Sequence, residues 1–546
     1  MCGIVGVVGA APSGVRIDEF LPRLERRGPD GSWSERHQGV QIGATRLAIV
    51  DGDRDLGTES IGSAGSVVVL LNGEIWNRAA VARRLGLSAD ASEQAVIRAS
   101  HRAWGASFAH ALEGIFAIAV IDKDRGELVL ARDPLGVKPL YVYSDPERVS
   151  FASDPVVAAQ VGGCTAAANP DFLRNSLVFG FTDWQSCVIR DVHLLPPGDT
   201  WVASFTRDGV RDGITKIPAA LSEGRRDLSI LSTVLEQQFR HDDTEVCALL
   251  LSGGVDSSLL AVLASEIGAD SIRCVVFGDE QEDLEPAREV ARLVGLELIE
   301  VPIDPTALRS GWKRACRTMS GTSALSAYHL FERLRSVEPE IKVVYCGEGA
   351  DELFGGYPWN LDPSRRISRL AARLNAVDRD TWSPLMVDVG ASIEQMGDDQ
   401  DATEALAWSL AFDRGPQLDG NHTVPFDASG MAFSFEVRVP FLDRRVLECA
   451  TTYAPTELVH ECRTKAPLRD YLRELHPDVE ALTRTPKRGF PSSFRSGMRA
   501  LRREAAPQTE GRLHGIPRSF ARSGFHLAWL EEVQGFIDDE VSTAIT

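Results

Sequence analysis

Two blocks of different texture predict the architecture of this chain. An α+β first part packs two β-sheets face to face between outer helices, and an α/β second part is built on a doubly wound parallel sheet with added helices. Three observations carry this. The first ~200 residues are short runs rich in β-branched side chains and broken by glycine, with one helical stretch among them. After Arg225, strand-like runs alternate with helical ones, the pattern of parallel strands joined by crossover helices. Between them, LLPPGDTWVASFTRDGVRDG is turn-rich, which divides the chain into 1–205 and 225–546. At 546 residues the chain exceeds what one core supports.

In the first block, GIVGVVG, VVVLLNGEIW, GIFAIAVID, GELVLARD and PLYVY read as strands, and SEQAVIRASHRAW as the helix. In the second, VCALLLSGGVDSSLLAVLASEIG is strand, glycine-rich turn and helix. SIRCVVFG is a strand, EPAREVARLVG a helix, and IKVVYCGEGADELFGGY a strand with its loop. Residues 358–423 read as helical and polar, without a motif.

Lys and Arg number 58 against 78 Asp and Glu, a formal charge of -20, which argues against nucleic acid or an anionic membrane as the main partner. Hydrophobic residues at 44% and charged residues at 25% are those of a soluble globular protein. Nine scattered cysteines, none in a C-x-x-C pair, read as reduced thiols and not as a disulfide or zinc framework. With no basic leader and no run of membrane length, a cytoplasmic protein is expected.

The chain begins MCGI. Taken alone, Cys2 reads first as a small buried apolar residue heading a strand. With Met1 removed it carries a thiol and a free α-amine, a nucleophile with its own base attached. LLSGGVDSS (Leu250–Ser258) is more specific. A buried strand ends in Ser252, Gly253 and Gly254, so bare amides can approach an oxyanion at a helix N-terminus, while Ser257 and Ser258 add hydroxyl donors. Asp256 in an anion loop makes sense beside a cation, and with Mg2+ it bridges to pyrophosphate. The spacing and lysine of a Walker P-loop are missing. The loop resembles the SGGxDS loop of the ATP pyrophosphatases, which cleave ATP between its α and β phosphates and activate a substrate as an adenylate.

GEGADELFGGY (Gly347–Tyr357) places Glu348, Asp351 and Glu352 in a glycine-rich loop after a strand, where open α/β sheets bind ligands. Alone it also reads as a solvated acidic turn. Beside SGGVDSS, the loop is expected to supply a second Mg2+ ligand and a general base, because such carboxylates repel without a cation. Lys465 in RTKAPLRDYL and Lys487 in TPKRGF punctuate apolar sequence and could offset the charge of a departing pyrophosphate.

These motifs, with RRGPDG, RLAIVD, LNGEIWN, LEGIFAIAVID, ARDPLGVKPLY, FASDP, LPPG and FEVRVPFLD, occur in an order that resembles the glutamine-dependent asparagine synthetase family nearly end to end. The resemblance implies a class II glutamine amidotransferase domain with an N-terminal-nucleophile (αββα) fold, followed by an ATP-pyrophosphatase-type synthetase domain. It implies that Cys2 attacks glutamine and that Asn72 and Gly73 form the oxyanion hole. Arg46, Leu47, Val50, Glu74 and Glu93 would then hold the glutamine. For ATP it implies Leu251, Ser252, Gly253, Gly254, Asp256, Ser257, Ser258, Phe277, Cys346, Gly347 and Lys465, with Mg2+ on Asp256 and Asp351 and Glu348 as base. The implied acceptor pocket holds Thr322, Ser323, Glu348 and Arg438. The implied reaction forms an acyl-AMP from a carboxylic acid and displaces AMP with ammonia passed between the domains; the default product is asparagine. A homodimer is left open.

Three departures bear on substrate. Ser92-Glu93 stands where the family carries Ser-Asp, lengthening the reach to the glutamine amine by one methylene. MSGTSALSAYHLFERL lacks the arginine that the family places before the GEGxDE strand, and Ala428 stands where a basic residue commonly follows Asp427. An α-carboxylate normally takes a guanidinium or an equivalent partner. The acid is therefore expected to be other than free aspartate, unless Arg438 or a residue of 358–423 compensates. The alternatives are amidation of a non-aspartate acid in specialised metabolism and a non-catalytic homologue acting as a binding protein.

Overall fold

The computed structural model describes residues 2–12, 14–49, 66–165, 167–218, 224–240, 246–268, 271–318, 324–397, 401–460 and 462–484, together with Glu532. The chain forms two compact units. Among the described residues the first runs to Pro170 and resumes at Trp184, and the second comprises Asp171–Asp183 and the residues from Gly224 onward.

In the first unit the apolar runs form β1 (Cys2–Gly9), β2 (Gly31–His37), β3 (Val40–Arg46), β4 (Val67–Ile75), β5 (Gly114–Asp122) and β6 (Glu127–Arg132). They continue in β7 (Tyr141–Ser144), β8 (Arg148–Ala152), β9 (Val192–Leu194), β10 (Thr200–Thr206) and β11 (Gly209–Ile217). These make two antiparallel sheets, β2-β3-β1-β8-β7-β9 and β11-β10-β6-β5-β4. Alternation along β4 explains its uninterrupted VVVLL: Val68 and Leu70 face the inter-sheet core with Ile4, Val8 and Ile42, while Val67, Val69 and Leu71 face outward onto Val96, Ile97 and Phe108. The helix Glu93–Trp104 covers that outer face, and the helix Pro155–Val161 covers the other sheet. The result is the expected αββα sandwich.

In the second unit β12 (Cys247–Leu250), β13 (Ile272–Phe277), β14 (Leu298–Val301), β15 (Val343–Tyr345) and β16 (Glu436–Arg438) form a parallel sheet ordered β14-β13-β12-β15-β16. The order reverses between β12 and β15, so a crevice opens at their C-terminal ends. The helix Val255–Glu266 is apolar nearly all round and almost wholly buried, as a central crossover helix must be. No described helix is long and apolar enough to cross a membrane.

The stretch 358–423 is helical as expected, but it also carries a core of its own. Helix Pro363–Leu374 buries Ile367, Leu370 and Leu374 on one stripe beneath a polar face. Leu370 and Leu374 join Leu385, Met386, Val389 and Phe412, and the same cluster takes in Val178 and Phe181 from the earlier part of the sequence. The Ser383 hydroxyl donates to Asn175 Oδ1 at 2.5 Å within it.

Arg438 corrects an expectation. The resemblance places it in the acceptor pocket, yet it is fully buried on β16, with Nε 3.1 Å from Glu436 and Nη1 bonded to the Gln238 carbonyl at 2.8 Å and the Tyr345 hydroxyl at 3.0 Å. The guanidinium serves the core because Glu436, buried beside it, needs a counter-charge. Arg438→Met is therefore expected to cost the second unit about 3–5 kcal/mol by removing the guanidinium charge beside buried Glu436. Chemical denaturation checks this, and a variant of wild-type stability with a raised KM for the acid would return Arg438 to the acceptor pocket.

Candidate active site

In the first unit, pairing of β1 with β3 sets Cys2 opposite Arg46. Arg46 ends its strand and is enclosed by the RRGPDG turn, whose Asp30 N–H donates to the Arg46 carbonyl at 2.8 Å. Asp30 Oδ2 accepts from the Ala48 N–H at 2.7 Å, which orders the chain past buried Leu47. Asn72, Gly73 and Glu74 lie in succession on β4, paired with Ala117, Phe116 and Ile115. Gly73 has φ +136, and a Cβ there would collide with the Ile115 carbonyl oxygen, so the position requires glycine. Asn72 is fully buried, and among the described residues neither its amide nitrogen nor its oxygen has a hydrogen-bond partner. Such an orphan is costly in a buried strand.

Glu93 shows what the extra methylene does. At the start of its helix, N-capped by Ser92, its carboxylate reaches the end of β4 and accepts from the Ile75 N–H at 2.7 Å, next to Glu74. The Cys2 side chain, Val50, Thr322, Ser323 and Lys487 lie outside the described residues.

In the second unit, the loops after β12 and β15 meet at the switch point. Past Leu251, whose N–H donates to the Val275 carbonyl at 2.8 Å, the SGGVDSS turn folds on its own hydroxyls. Ser257 Oγ accepts from the Ser252 N–H at 3.2 Å and lies 3.2 Å from Ser252 Oγ. Gly254 caps the helix and turns the first amides outward. Ser258 Oγ is buried without a partner among the described residues. Phe277, at the end of β13, leans on Ile303 and Leu308. Cys346 is buried and its thiol is pushed up by that burial, which marks it as a wall and not a nucleophile.

Lys465 joins the two loops. Its Nζ lies 2.5 Å from Asp256 Oδ2 and 2.7 Å from Asp351 Oδ1. It heads the helix Ala466–Leu475 in the left-handed region, at φ 55 and ψ 39, and Gly356 lets it pass, since a Cβ there would collide with Lys465 Cε and Asp351 Oδ1. Two carboxylates already sharing one cation form a donor set that suits a divalent ion completed by phosphate oxygens. No described group of three or more His, Cys, Asp or Glu could hold a metal by itself.

Beside this, Glu348 contacts His422 Nδ1, while His422 Nε2 lies 3.1 Å from Glu352 and 2.9 Å from the Tyr357 hydroxyl, which bonds Glu352. Burial opposes the charge on His422, but Glu352 and Glu348 outweigh it and hold its pKa up at about 9. Burial also raises Glu352 to about 7, against the pull of His422. The sequence reading missed His422, a lone histidine in a segment without a motif; only the general need of three carboxylates for cations pointed toward it.

Residues 1–213 match the glutamine amidotransferase domain family and residues 231–534 the asparagine synthase family. Glutamine-hydrolysing asparagine synthetase 1 of Bacillus subtilis is 25% identical, covering 91% of this chain and 87% of its own. A putative glutamine-hydrolysing asparagine synthetase of Mycobacterium tuberculosis is 26% identical over 92% of this chain and 89% of its own. The glutamine-hydrolysing asparagine synthetase of Sandersonia aurantiaca is 28% identical over 65% of this chain and 67% of its own. Since the asparagine synthase match, 231–534, spans more than half of the sequence and holds both carboxylate loops together with Lys465, this chain belongs to the asparagine synthase family.

Proposed function

We propose that this chain hydrolyses glutamine with its first unit and, with its second, uses ATP to amidate a carboxylic acid through an acyl adenylate. The meeting of Asp256, Asp351 and Lys465 at the switch point of the parallel sheet, beside an amide-lined turn, carries the reading.

In the first reaction the Cys2 thiol attacks the glutamine side-chain carbonyl, and the α-amine left by removal of Met1 relays its proton to the departing ammonia. Asn72 and the Gly73 N–H receive the oxyanion. Arg46 grips the α-carboxylate with its planar fork beside Leu47 and Val50, and Glu74 and Glu93 face the ammonium. Water then releases glutamate from the thioester.

In the second reaction the SGGVDSS amides and hydroxyls cradle the pyrophosphate of ATP, with Leu251, Phe277, Cys346 and Gly347 around the nucleotide. Asp256 and Asp351 would hold Mg2+, which when bound neutralises charge on the pyrophosphate. Lys465 faces the phosphates, and the acid's carboxylate oxygen displaces pyrophosphate from the α-phosphorus. Glu348 accepts a proton from ammonia as its nitrogen attacks the acyl carbon and AMP leaves.

The relatives' names make L-aspartate the first acid to test. A second reading, an acid without an α-carboxylate, is supported by the engagement of nearby cations elsewhere. Arg438 is buried against Glu436, both ring nitrogens of His422 face carboxylates, Arg366 pairs with Asp413, and Arg414 donates to the Leu353 carbonyl.

Cys2→Ala is expected to abolish amide formation from glutamine while sparing formation from ammonium chloride; equal loss of both refutes separate reactions. Asp256→Asn and Asp351→Asn should each lower acid-dependent pyrophosphate release about a hundredfold or more, and unchanged release in both places the phosphates elsewhere. Comparing kcat/KM across a panel of L-aspartate and acids lacking an α-carboxylate decides the acceptor. Aspartate as the best acid eliminates the second reading, and aspartate among the worst establishes it.

A further inference from the structure

We propose that His422 is a positioning residue that clamps Glu348 from a π-helical turn and fixes the carboxylate that accepts the proton from ammonia. The inference rests on the reading of Glu348 as that base.

A glutamate has three side-chain torsions, and a base that must meet an attacking nitrogen in one direction needs them fixed. Glu348 stands partly exposed in a loop, its side chain 22% accessible, and His422 is the partner that reaches its Oε1. The other face of the imidazole is anchored. Nε2 lies 3.1 Å from Glu352, whose side chain is 1% exposed, and 2.9 Å from the Tyr357 hydroxyl. Tyr357 stacks on Trp359 with ring centroids 4.1 Å apart, and Trp359 Nε1 reaches Asp413 at 3.3 Å. Asp413 is itself paired with Arg366 at 2.6 Å and accepts from Asn360 Nδ2 at 3.0 Å. The ring is thus tied through stacked aromatics to a buried ion pair, an arrangement with little freedom to yield. With both nitrogens turned to carboxylates, His422 acts through Glu348 and not on substrate.

The backbone that delivers His422 is the second, independent observation. The helix Ala402–Phe412 continues through π-helical turns over Asp413–Gln417 and Asp419–Thr423 before regular helix resumes at Val424. It is kinked at Gly415, with φ -94 and ψ -108, ahead of Pro416. A π-turn adds a residue to a helical turn and rotates the downstream residues by about 100° relative to an unbroken helix, at a cost in hydrogen-bond geometry. Here the rotation brings a histidine onto Glu348.

His422→Ala, His422→Gln and Glu348→Gln are assayed with ammonium chloride, ATP and whichever acid, L-aspartate or one lacking an α-carboxylate, has the highest kcat/KM. The expected result for His422→Ala is a fall of about a hundredfold in kcat for amide formation. The KM for the acid and acid-dependent pyrophosphate release should change less than about threefold, so that pyrophosphate outruns amide. His422→Gln, which keeps one donor for Glu348, should recover part of the loss. Crystal structures give a readout independent of turnover: one Glu348 rotamer in wild type, several in His422→Ala. Parallel loss of pyrophosphate release and amide in both His422 variants, absence of rescue by glutamine, or a single unchanged Glu348 rotamer in His422→Ala each overturns the clamp. Full amide formation by Glu348→Gln overturns the base instead, whereas a defective Glu348→Gln beside a fully active His422→Ala overturns the clamp alone.

Discussion

Crowded carboxylates govern the second unit. Asp256, Glu348, Asp351 and Glu352 come from the two segments that follow β12 and β15 at the C-terminal ends of those strands, and like charges about 4 Å apart repel by some 4 kcal/mol even at an effective dielectric near 20. Two cations make the arrangement tenable, each lodged between a pair of carboxylates: Lys465 between Asp256 and Asp351, and His422 between Glu348 and Glu352. Both come from distant sequence, Lys465 lying 209 residues beyond Asp256. Each also sits on irregular backbone, a left-handed non-glycine residue in one case and a π-helical turn in the other. Departures of this kind persist where surrounding structure over-determines them, and they cluster at functional sites.

The first unit solves the opposite problem. It keeps a polar group unpaired among apolar surfaces. Asn72 interrupts a strand whose neighbours are buried on both faces, and an unsatisfied buried amide costs about 1–3 kcal/mol. The strand pairing on β5 holds the residue in register regardless, so its amide is fixed in place without a partner among the described residues. Glu93 serves the backbone of the same strand. It satisfies the Ile75 N–H and so fastens the helix start to the end of the strand that carries Asn72, Gly73 and Glu74.

The range of the forces involved decides which features are legible in the sequence. Both fold classes were legible because alternation and crossover patterns are local, and so were the SGGVDSS and GEGADE loops, whose glycines and acids are contiguous. Lys465 was legible as a charge in apolar surroundings, though its carboxylate partners were not. Arg438 misled because a buried arginine on a short strand looks, in sequence, like a charge awaiting a ligand; only Glu436 two residues away, pointing into the same core, shows otherwise. His422 was invisible because a π-turn has no compositional mark, and which residue faces Glu348 depends on one added position in a helix.

The segment Asp171–Asp183 links these points. It lies within the part of the sequence that reads as the first domain, yet it belongs to the second compact unit. Val178 and Phe181 are buried against Leu370, Leu374, Leu385, Met386, Val389 and Phe412, on three helices that precede the π-helical turns. Burying a side chain of this size contributes about 1.5–3 kcal/mol, and Asn175 adds a buried hydrogen bond to Ser383. The core that supports Arg366, Asp413 and hence the Tyr357–Trp359 stack is therefore completed by residues from before the apparent boundary. A chain cut where composition changes, near residue 225, would keep every motif of the second unit and lose part of the packing that holds His422 against Glu348.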